Sequence, residues 1–151
     1  MKKNTLLALS VAVLTLSAFG CGGGSQTRVK KGQVVDVLEQ DPNQGGYIEA
    51  IGIGAADPTL PTQTQRRALS RDAAIVKAHN ELLTMIKGAT LESGQTVEQS
   101  VMTDSKMVEK VDAMIKGAEI VKTEFTSDDG ALTTLRLPKK RLEQMMGIKF
   151  K

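Results

Sequence analysis

Hydrophobic and polar positions divide the chain into one apolar run near its start and several periodic segments after it. Residues 6–16 are apolar except for two hydroxyl residues, and Lys2 and Lys3 precede them. A basic head followed by such a run predicts a secretory signal, because the run is too short to cross a bilayer comfortably as a helix. We therefore expect residues 1–20 to be removed.

The first clear strand pattern covers residues 47–54. Large side chains fall on one face (Tyr47, Ile51, Ile53) and small ones on the other (Ala50, Gly52, Gly54). A strand face with only small residues predicts the close approach of a helix or of another backbone. The apolar island at residues 34–38 is a second strand candidate, in a segment that we expect to be mobile or loosely docked up to about residue 45.

The longest periodic segment predicts a helix over residues 62–87. Thr62 and Gln65 have the spacing of a capping box, and Gly88 fits the position just past the helix end. The apolar residues form a broad face of the kind that packs on a sheet, with Leu69, Ala73, Val76 and Leu83 near one stripe and Ile75, Ala78, Leu82 and Ile86 beside it. Most of the remaining surface is charged, at Arg66, Arg67, Arg71, Lys77 and Glu81.

The pattern after residue 88 predicts helical structure, then a hairpin and a short final helix. Apolar residues recur at helical spacing from Val97 to Ile115, and Thr103-Asp104-Ser105 interrupts them, so one broken helix or two short ones are both possible. We favour a helix over residues 104–116. Asp129-Gly130 then separates two strand patterns at residues 118–126 and 131–137. We expect Val121, Thr123 and Phe125 to share one face of the first strand, and Leu135 and Leu137 one face of the second. Pro138 ends the sheet, and the helix over residues 139–146 carries Leu142 and Met145 inward.

These segments together predict an α+β fold. It is a small two-layer strand–helix–(helix)–strand–strand domain, in which an antiparallel C-terminal hairpin packs on a long helix. The domain covers residues 47–151, and residues 21–46 form a tether rich in Gly and Ser at its start. Residues 21–151 are enough for one domain with a core, but not for two comfortable ones.

Cys21 changes the interpretation of the signal. It is the chain's single cysteine and directly follows Ala18-Phe19-Gly20, so it has no partner for an internal disulfide. The arrangement resembles the lipobox of bacterial lipoproteins, although Ala18 stands where Leu is commonest and Phe19 where a small residue is commonest. The resemblance implies cleavage before Cys21, with a diacylglycerol on its sulfur and an acyl chain such as palmitate on its amine. An ordinary secretory signal beside a stray cysteine is the alternative.

Composition argues against several function classes. Without Lys2 and Lys3, the excess of basic over acidic residues falls from three to one, and aromatic residues make up 3% of the chain. We therefore expect no nucleic-acid partner, because both charge and stacking surfaces are scarce. Anchoring through Cys21 needs more than one acyl chain, since a single chain binds a membrane only marginally.

The residues that could carry chemistry have structural explanations. His79, the only histidine, lies at the edge of an apolar helix face, and Gly52-x-Gly54 lacks the third glycine of a phosphate loop. Asp128 and Asp129 occupy a turn without the alternating ligands of a calcium loop, and methionines near the second helix serve as core fillers. We expect no catalytic residue, metal or cofactor, and hence no enzyme.

Three stretches resemble the Lpp-twenty family of small bacterial outer-membrane lipoproteins, which includes a flagellar lipoprotein. They are Ile51-Gly52-Ile53-Gly54, the Arg- and Ala-rich helix from Arg66 to Leu82, and Ile115-Lys116-Gly117-Ala118 before Asp129-Gly130. The resemblance covers residues 47–143 and implies a strand–helix–strand–strand domain related in layout to dodecin-like folds. It also implies lipid anchoring to the outer membrane, in agreement with Gly22 in place of an inner-membrane Asp signal, and ring-like assembly around a flagellar motor in some members.

The sequence thus favours a non-catalytic, lipid-anchored outer-membrane protein that forms homo-oligomers or binds envelope or flagellar proteins. A second hypothesis, from the dodecin-like layout, is a module that binds a small hydrophobic or flavin-like ligand. A third uses the tail from Arg136 to Lys151, where six basic residues accompany one acidic residue. That tail could attach the protein to envelope phosphates as an adhesin or surface antigen, although a solvated face explains it equally well.

Overall fold

The computed structural model describes residues 28–35, 45–101 and 105–151. It confirms the α+β class. The elements in chain order are β1 (Val29–Lys30), β2 (Gln33–Val34), β3 (Tyr47–Gly54), α1 (Gln63–Gly88), α2 (Val97–Val101), α3 (Ser105–Lys116), β4 (Glu119–Phe125), β5 (Ala131–Pro138) and α4 (Lys139–Met146). None of the helices in these ranges combines the length and apolar character that a membrane crossing requires.

A three-stranded antiparallel sheet in the order β3-β5-β4 forms one layer, and α1 packs across β3 and β5 as the other. Gly52 and Gly54 lie directly under the helix, as the small strand face predicted. A Cβ at Gly52 would overlap the carbonyl oxygen of Ala74, and one at Gly54 the carbonyl oxygen of Ser70. These glycines therefore set the distance between the two layers.

The capping prediction for α1 is confirmed at its start and is one residue off at its end. Thr62 is the N-cap, with its side chain accepting from the N–H of Gln65 and the Gln65 side chain accepting from the N–H of Thr62. Gly88 is the last helical residue, and extended Ala89 is the C-cap.

The predicted apolar face of α1 is wrong in its first half. The buried residues are Ser70, Ala74, Ala78, Leu82 and Ile86. Leu69 is 49% exposed and Val76 60% exposed. Only small side chains fit against Gly52 and Gly54, so the close approach there favours Ser70 and Ala74 over the larger residues of the neighbouring stripe. Leu82 and Ile86 join the main core farther along the helix.

The C-terminal hairpin forms where Asp-Gly predicted it, with one change of register. Thr123 and Phe125 pair with Thr133 and Ala131, but a bulge between Ile120 and Lys122 interrupts the ladder. Ile120, paired with Leu135, therefore shares the face of Thr123 and Phe125 that was predicted for Val121. Leu135 and Leu137 share one face of β5 as predicted, and they pair with Ala50 and Ile48 of β3.

The chain after β5 closes one end of the core. Pro138 ends the strand and is the N-cap of α4, as predicted. Leu142 is buried, but Met146 is the second inward residue, while Met145 is 43% exposed. Met145 was therefore assigned to the wrong face, because Met146 and Leu142 are four residues apart and share one side of the helix. Leu91 and Phe150 form an isolated bridge beyond it.

The predicted mobile segment before residue 45 contains a small hairpin. β1 and β2 pair with each other, and the hairpin reaches the turn after β4 through the N–H of Ser127, which donates to the carbonyl oxygen of Gly32 at 2.9 Å. The N–H of Arg28 donates to Glu124 Oε2 at 3.0 Å. Val34 of the predicted island is in β2, whereas its residues 37 and 38 lie outside the described residues.

Candidate functional site

The lipidation site predicted from the sequence, Cys21, lies outside the described residues, as do the signal and most of the tether. The structure instead describes the domain that this anchor would carry. Three groups of its charged side chains lie at the hairpin turn, on the outer face of the sheet and around the start of α4.

The turn between β4 and β5 binds the first turns of α1. Asp129 has a left-handed backbone with φ of 64° and is only 5% exposed. Its carboxylate accepts from Gln63 Nε2 at 3.0 Å, from Arg66 Nε at 3.0 Å and from Arg67 Nε at 2.9 Å. We call Gln63, Arg66, Arg67, Ser70 and Asp129 the Asp129 cluster.

The turn makes further hydrogen bonds beside those of the Asp129 carboxylate. Ser70 Oγ donates to the carbonyl oxygen of Asp129 at 2.7 Å, and Thr126 Oγ1 donates to Asp128 Oδ1 at 2.5 Å. Arg67 also places its guanidinium 5.1 Å from the centroid of the Phe125 ring. The cluster therefore joins the hairpin turn to the first turns of α1. Both of its arginines bind other groups of the protein.

The electrostatics of Asp129 agree with a structural carboxylate. Burial alone would raise the pKa of this carboxyl group, but hydrogen bonds from Gln63, Arg66 and Arg67 outweigh burial and hold the pKa below its ordinary value. A carboxylate kept ionised by two guanidinium groups is a poor general acid or base at neutral pH. Sequence reasoning assigned Asp129 only to its turn and the two arginines to solvent, so it missed this cluster.

His79 has the place that the sequence predicted for it. It is half-buried on α1, and no group of three or more His, Cys, Asp or Glu side chains in the described part of the chain could hold a metal ion. Asp128 is exposed, and the hydroxyl of Thr126 lowers its pKa. The two aspartates of the turn thus have different partners and point to different neighbours.

The basic tail is not a uniform solvated face. Arg136 pairs with Glu49 across β5 and β3, with an Nε–Oε1 distance of 2.6 Å, and its guanidinium lies 4.9 Å from the Tyr47 ring centroid. Arg141 Nη1 donates to the carbonyl oxygen of Gly117 at 3.4 Å. Lys139 is buried. The tail therefore contributes fewer freely solvated charges than its sequence suggests.

An apolar cavity of about 310 Å³ lies between α1, α2 and α3. Leu83, Val97, Val108 and Val111 line it, together with charged residues of the three helices. A small hydrophobic ligand would fit a cavity of this size and lining. The described lining residues are aliphatic and charged, and therefore offer no ring on which a flavin would stack.

Two strands of the main sheet have unpaired edges among the described residues. β3 and β4 each pair only with β5, which occupies the centre. Ile53 on β3 is 51% exposed, and Ile120 on β4 is 45% exposed. Unpaired strand edges bearing apolar residues are surfaces on which a further strand can add.

Comparison of the chain with family models, with curated proteins and with solved structures gave no match in any of the three. The resemblance to the Lpp-twenty lipoproteins therefore stays a prediction.

Proposed function

We propose that this chain is a lipid-anchored protein of the bacterial outer membrane with a non-catalytic structural role. The observation that carries the proposal is Cys21, the single cysteine, at the end of the apolar run and directly before a Gly- and Ser-rich stretch. Acylation explains a cysteine that has no partner for an internal disulfide. The flexible stretch separates the anchor from the folded domain. The domain then stands next to the membrane rather than in it.

Self-association is the second part of the proposal. Its support is the three-stranded sheet with β3 and β4 at the edges and with Ile53 and Ile120 exposed on them. Copies held by lipid in one membrane have a raised local concentration, so even weak contacts between edges suffice for assembly. A place in a flagellar basal structure is the most specific form of this proposal, and it rests on the Lpp-twenty resemblance alone.

The anchor is tested by replacing Cys21 with Ser in the producing bacterium. We expect Cys21→Ser to abolish incorporation of radioactive palmitate and to move the protein from the outer-membrane fraction to soluble or uncleaved forms. The domain should remain folded, because its hydrophobic core is built from residues between Ile48 and Phe150. Circular dichroism of the released protein checks that expectation.

Ser25→Ala is the matched control, since it changes a small polar residue of the same stretch and leaves the thiol. It should be labelled and sorted like the natural chain. Processed Cys21→Ser protein that still fractionates with the outer membrane would show that the anchor lies elsewhere.

A further inference from the structure

A second cavity, of about 490 Å³, lies where α4 begins. Tyr47, Lys139, Lys140, Glu143, Phe150 and Lys151 are among its lining residues, and we call it the α4 cavity. Three ammonium groups and one carboxylate give these lining side chains a surplus of two positive charges at neutral pH. A concave site with such a surplus attracts anions.

Lys139 is the unusual member of this group. It is 7% exposed, so more than nine-tenths of the residue is buried, although lysine is almost never buried without a partner. The one described interaction of its side chain is with the Phe150 ring, whose centroid lies 6.0 Å from Nζ. No carboxylate within the described residues forms an ion pair with it. Lys139 lines the cavity, so an anion bound there would supply the countercharge that the described residues do not provide.

The start of α4 adds a second attraction for an anion. Pro138 is the N-cap and provides no side-chain hydrogen bond, and the first turn contains no acidic residue. The N–H of Lys139 donates to the carbonyl oxygen of Gly46 at 3.0 Å. An uncapped helix start carries partial positive charge and directs N–H groups outward, which is the usual environment of a bound phosphate.

The wall opposite α4 is held in place by hydrogen bonds. The N–H of Phe150 donates to Glu143 Oε1 at 3.2 Å, and the N–H of Lys151 donates to the carbonyl oxygen of Thr90 at 3.1 Å. The one acidic side chain of the cavity is therefore already bonded to the backbone. Tyr47 and Phe150 supply aromatic surface beside the ammonium groups.

We propose that the α4 cavity binds a phosphate monoester, with the anionic oxygens at Lys139 Nζ and the start of α4. Lys140 and Lys151 complete the charge around the ligand, and the organic part of the ester lies against Tyr47 and Phe150. A soluble phosphorylated compound and the phosphate of a lipid headgroup share this chemistry. The site is a property of the folded domain and does not depend on acylation of Cys21.

The test is calorimetric titration of the full chain, in non-ionic detergent, with phenyl phosphate and with inorganic phosphate. We expect saturable binding of phenyl phosphate at one site, weaker binding of inorganic phosphate and no binding of phenol. Lys139→Gln should weaken the binding roughly tenfold or more, the usual loss when one charge-assisted hydrogen bond is removed. Lys149→Gln is the matched control, because Lys149 is exposed and lies outside the lining residues.

A substitute variant and a vesicle assay complete the test. If Lys139→Gln fails to give a cooperative thermal unfolding transition, Lys140→Gln replaces it, because Lys140 is exposed and lines the cavity. Flotation of Cys21→Ser chains, which lack the acyl anchor, with phosphatidylcholine vesicles with and without phosphatidic acid identifies a lipid source if Lys139→Gln reduces the flotation. Absence of saturable phenyl phosphate binding, or equal losses in Lys149→Gln, would overturn the site and leave only general surface charge.

Discussion

At the scale of single residues, the contacts of Asp129 fix the position of the C-terminal hairpin against α1. Its left-handed backbone forms the turn, and its carboxylate binds Arg66 and Arg67 of α1. Asp and Asn are the residues other than Gly that adopt this conformation most readily. One residue therefore satisfies a local backbone requirement and a contact between residues more than sixty positions apart in sequence.

We expect Asp129→Asn to destabilise the domain in a manner that depends on pH. Asparagine keeps the preference for the left-handed backbone but removes the charge that the arginines bind. The pKa of Asp129 is lower in the folded chain than its ordinary value of 3.8, so its stabilisation is complete well above that value and is lost as pH falls through the folded pKa. The difference in unfolding free energy between the natural chain and Asp129→Asn should therefore be largest above about pH 5 and shrink on acidification.

Urea unfolding of both chains between neutral pH and pH 3 measures this difference. Asp128→Asn is the matched control, because it neutralises the neighbouring turn carboxylate, which bonds Thr126 rather than an arginine. Its effect at neutral pH should be smaller. A difference for Asp129→Asn that grows on acidification would contradict the role of the carboxylate.

At the scale of elements, the small faces of β3 and α1 bring the two layers together. Gly52 and Gly54 of the strand meet the helix backbone at Ser70, Ala74 and Ala78. Larger residues farther along each element, such as Ile48 and Leu82, then fill the core where the layers leave more space. The stripe of α1 that contains Leu69 and Val76 remains exposed as a result.

We expect Gly52→Ala to destabilise the domain by about 1–3 kcal/mol, the usual cost of overpacking. Its Cβ would overlap backbone atoms of Ala74 and Ala78, which cannot move without separating helix and sheet. Gly88→Ala is the matched control, because a Cβ there meets nothing within 4 Å and alanine favours a helix. It should be neutral or stabilising by up to about 1 kcal/mol. Thermal unfolding of both variants gives the comparison, and equal stability of the two would refute this packing argument.

At the scale of the whole molecule, the sheet has two edges and the helical layer covers only part of it. α1 contacts β3 and β5 far more than β4. Ile120 of β4 is therefore 45% exposed, although it lies on the face of the sheet that bears the helix. This exposed edge is the surface that we expect to meet a second copy in the proposed assembly.

We expect Ile120→Lys to weaken self-association, since a lysine on an edge strand opposes further strand pairing. Leu69→Lys is the matched control, because Leu69 is 49% exposed but lies on α1. Sedimentation velocity of Cys21→Ser chains over a range of concentrations should show an oligomer that Ile120→Lys dissociates and Leu69→Lys leaves intact. Cys21→Ser chains that remain monomeric up to about millimolar concentration, the range expected of tethered copies, would remove self-association from the proposal.

Much of the fold could be predicted because its signals are local. The alternation in β3, the Thr62 capping box and the Asp129-Gly130 turn each depend on residues close together in sequence. The predicted face of α1, the alignment of Val121 and the inward position of Met145 were wrong because each depends on a neighbouring element. A helical wheel identifies several apolar stripes but not the one that a distant strand can approach.

The sequence by itself determined the order of β3, α1, the C-terminal hairpin and α4. It also predicts the signal and the lipidation of Cys21 from one short stretch of residues. Only the tertiary structure decided that Arg66 and Arg67 bind Asp129, since these residues come together when the hairpin docks on α1. The tertiary structure likewise decided that Lys139 is buried and lines the α4 cavity, whereas the sequence placed it on a basic tail. Burial and charge pairing are properties of residues distant in sequence, so they follow from the packed fold.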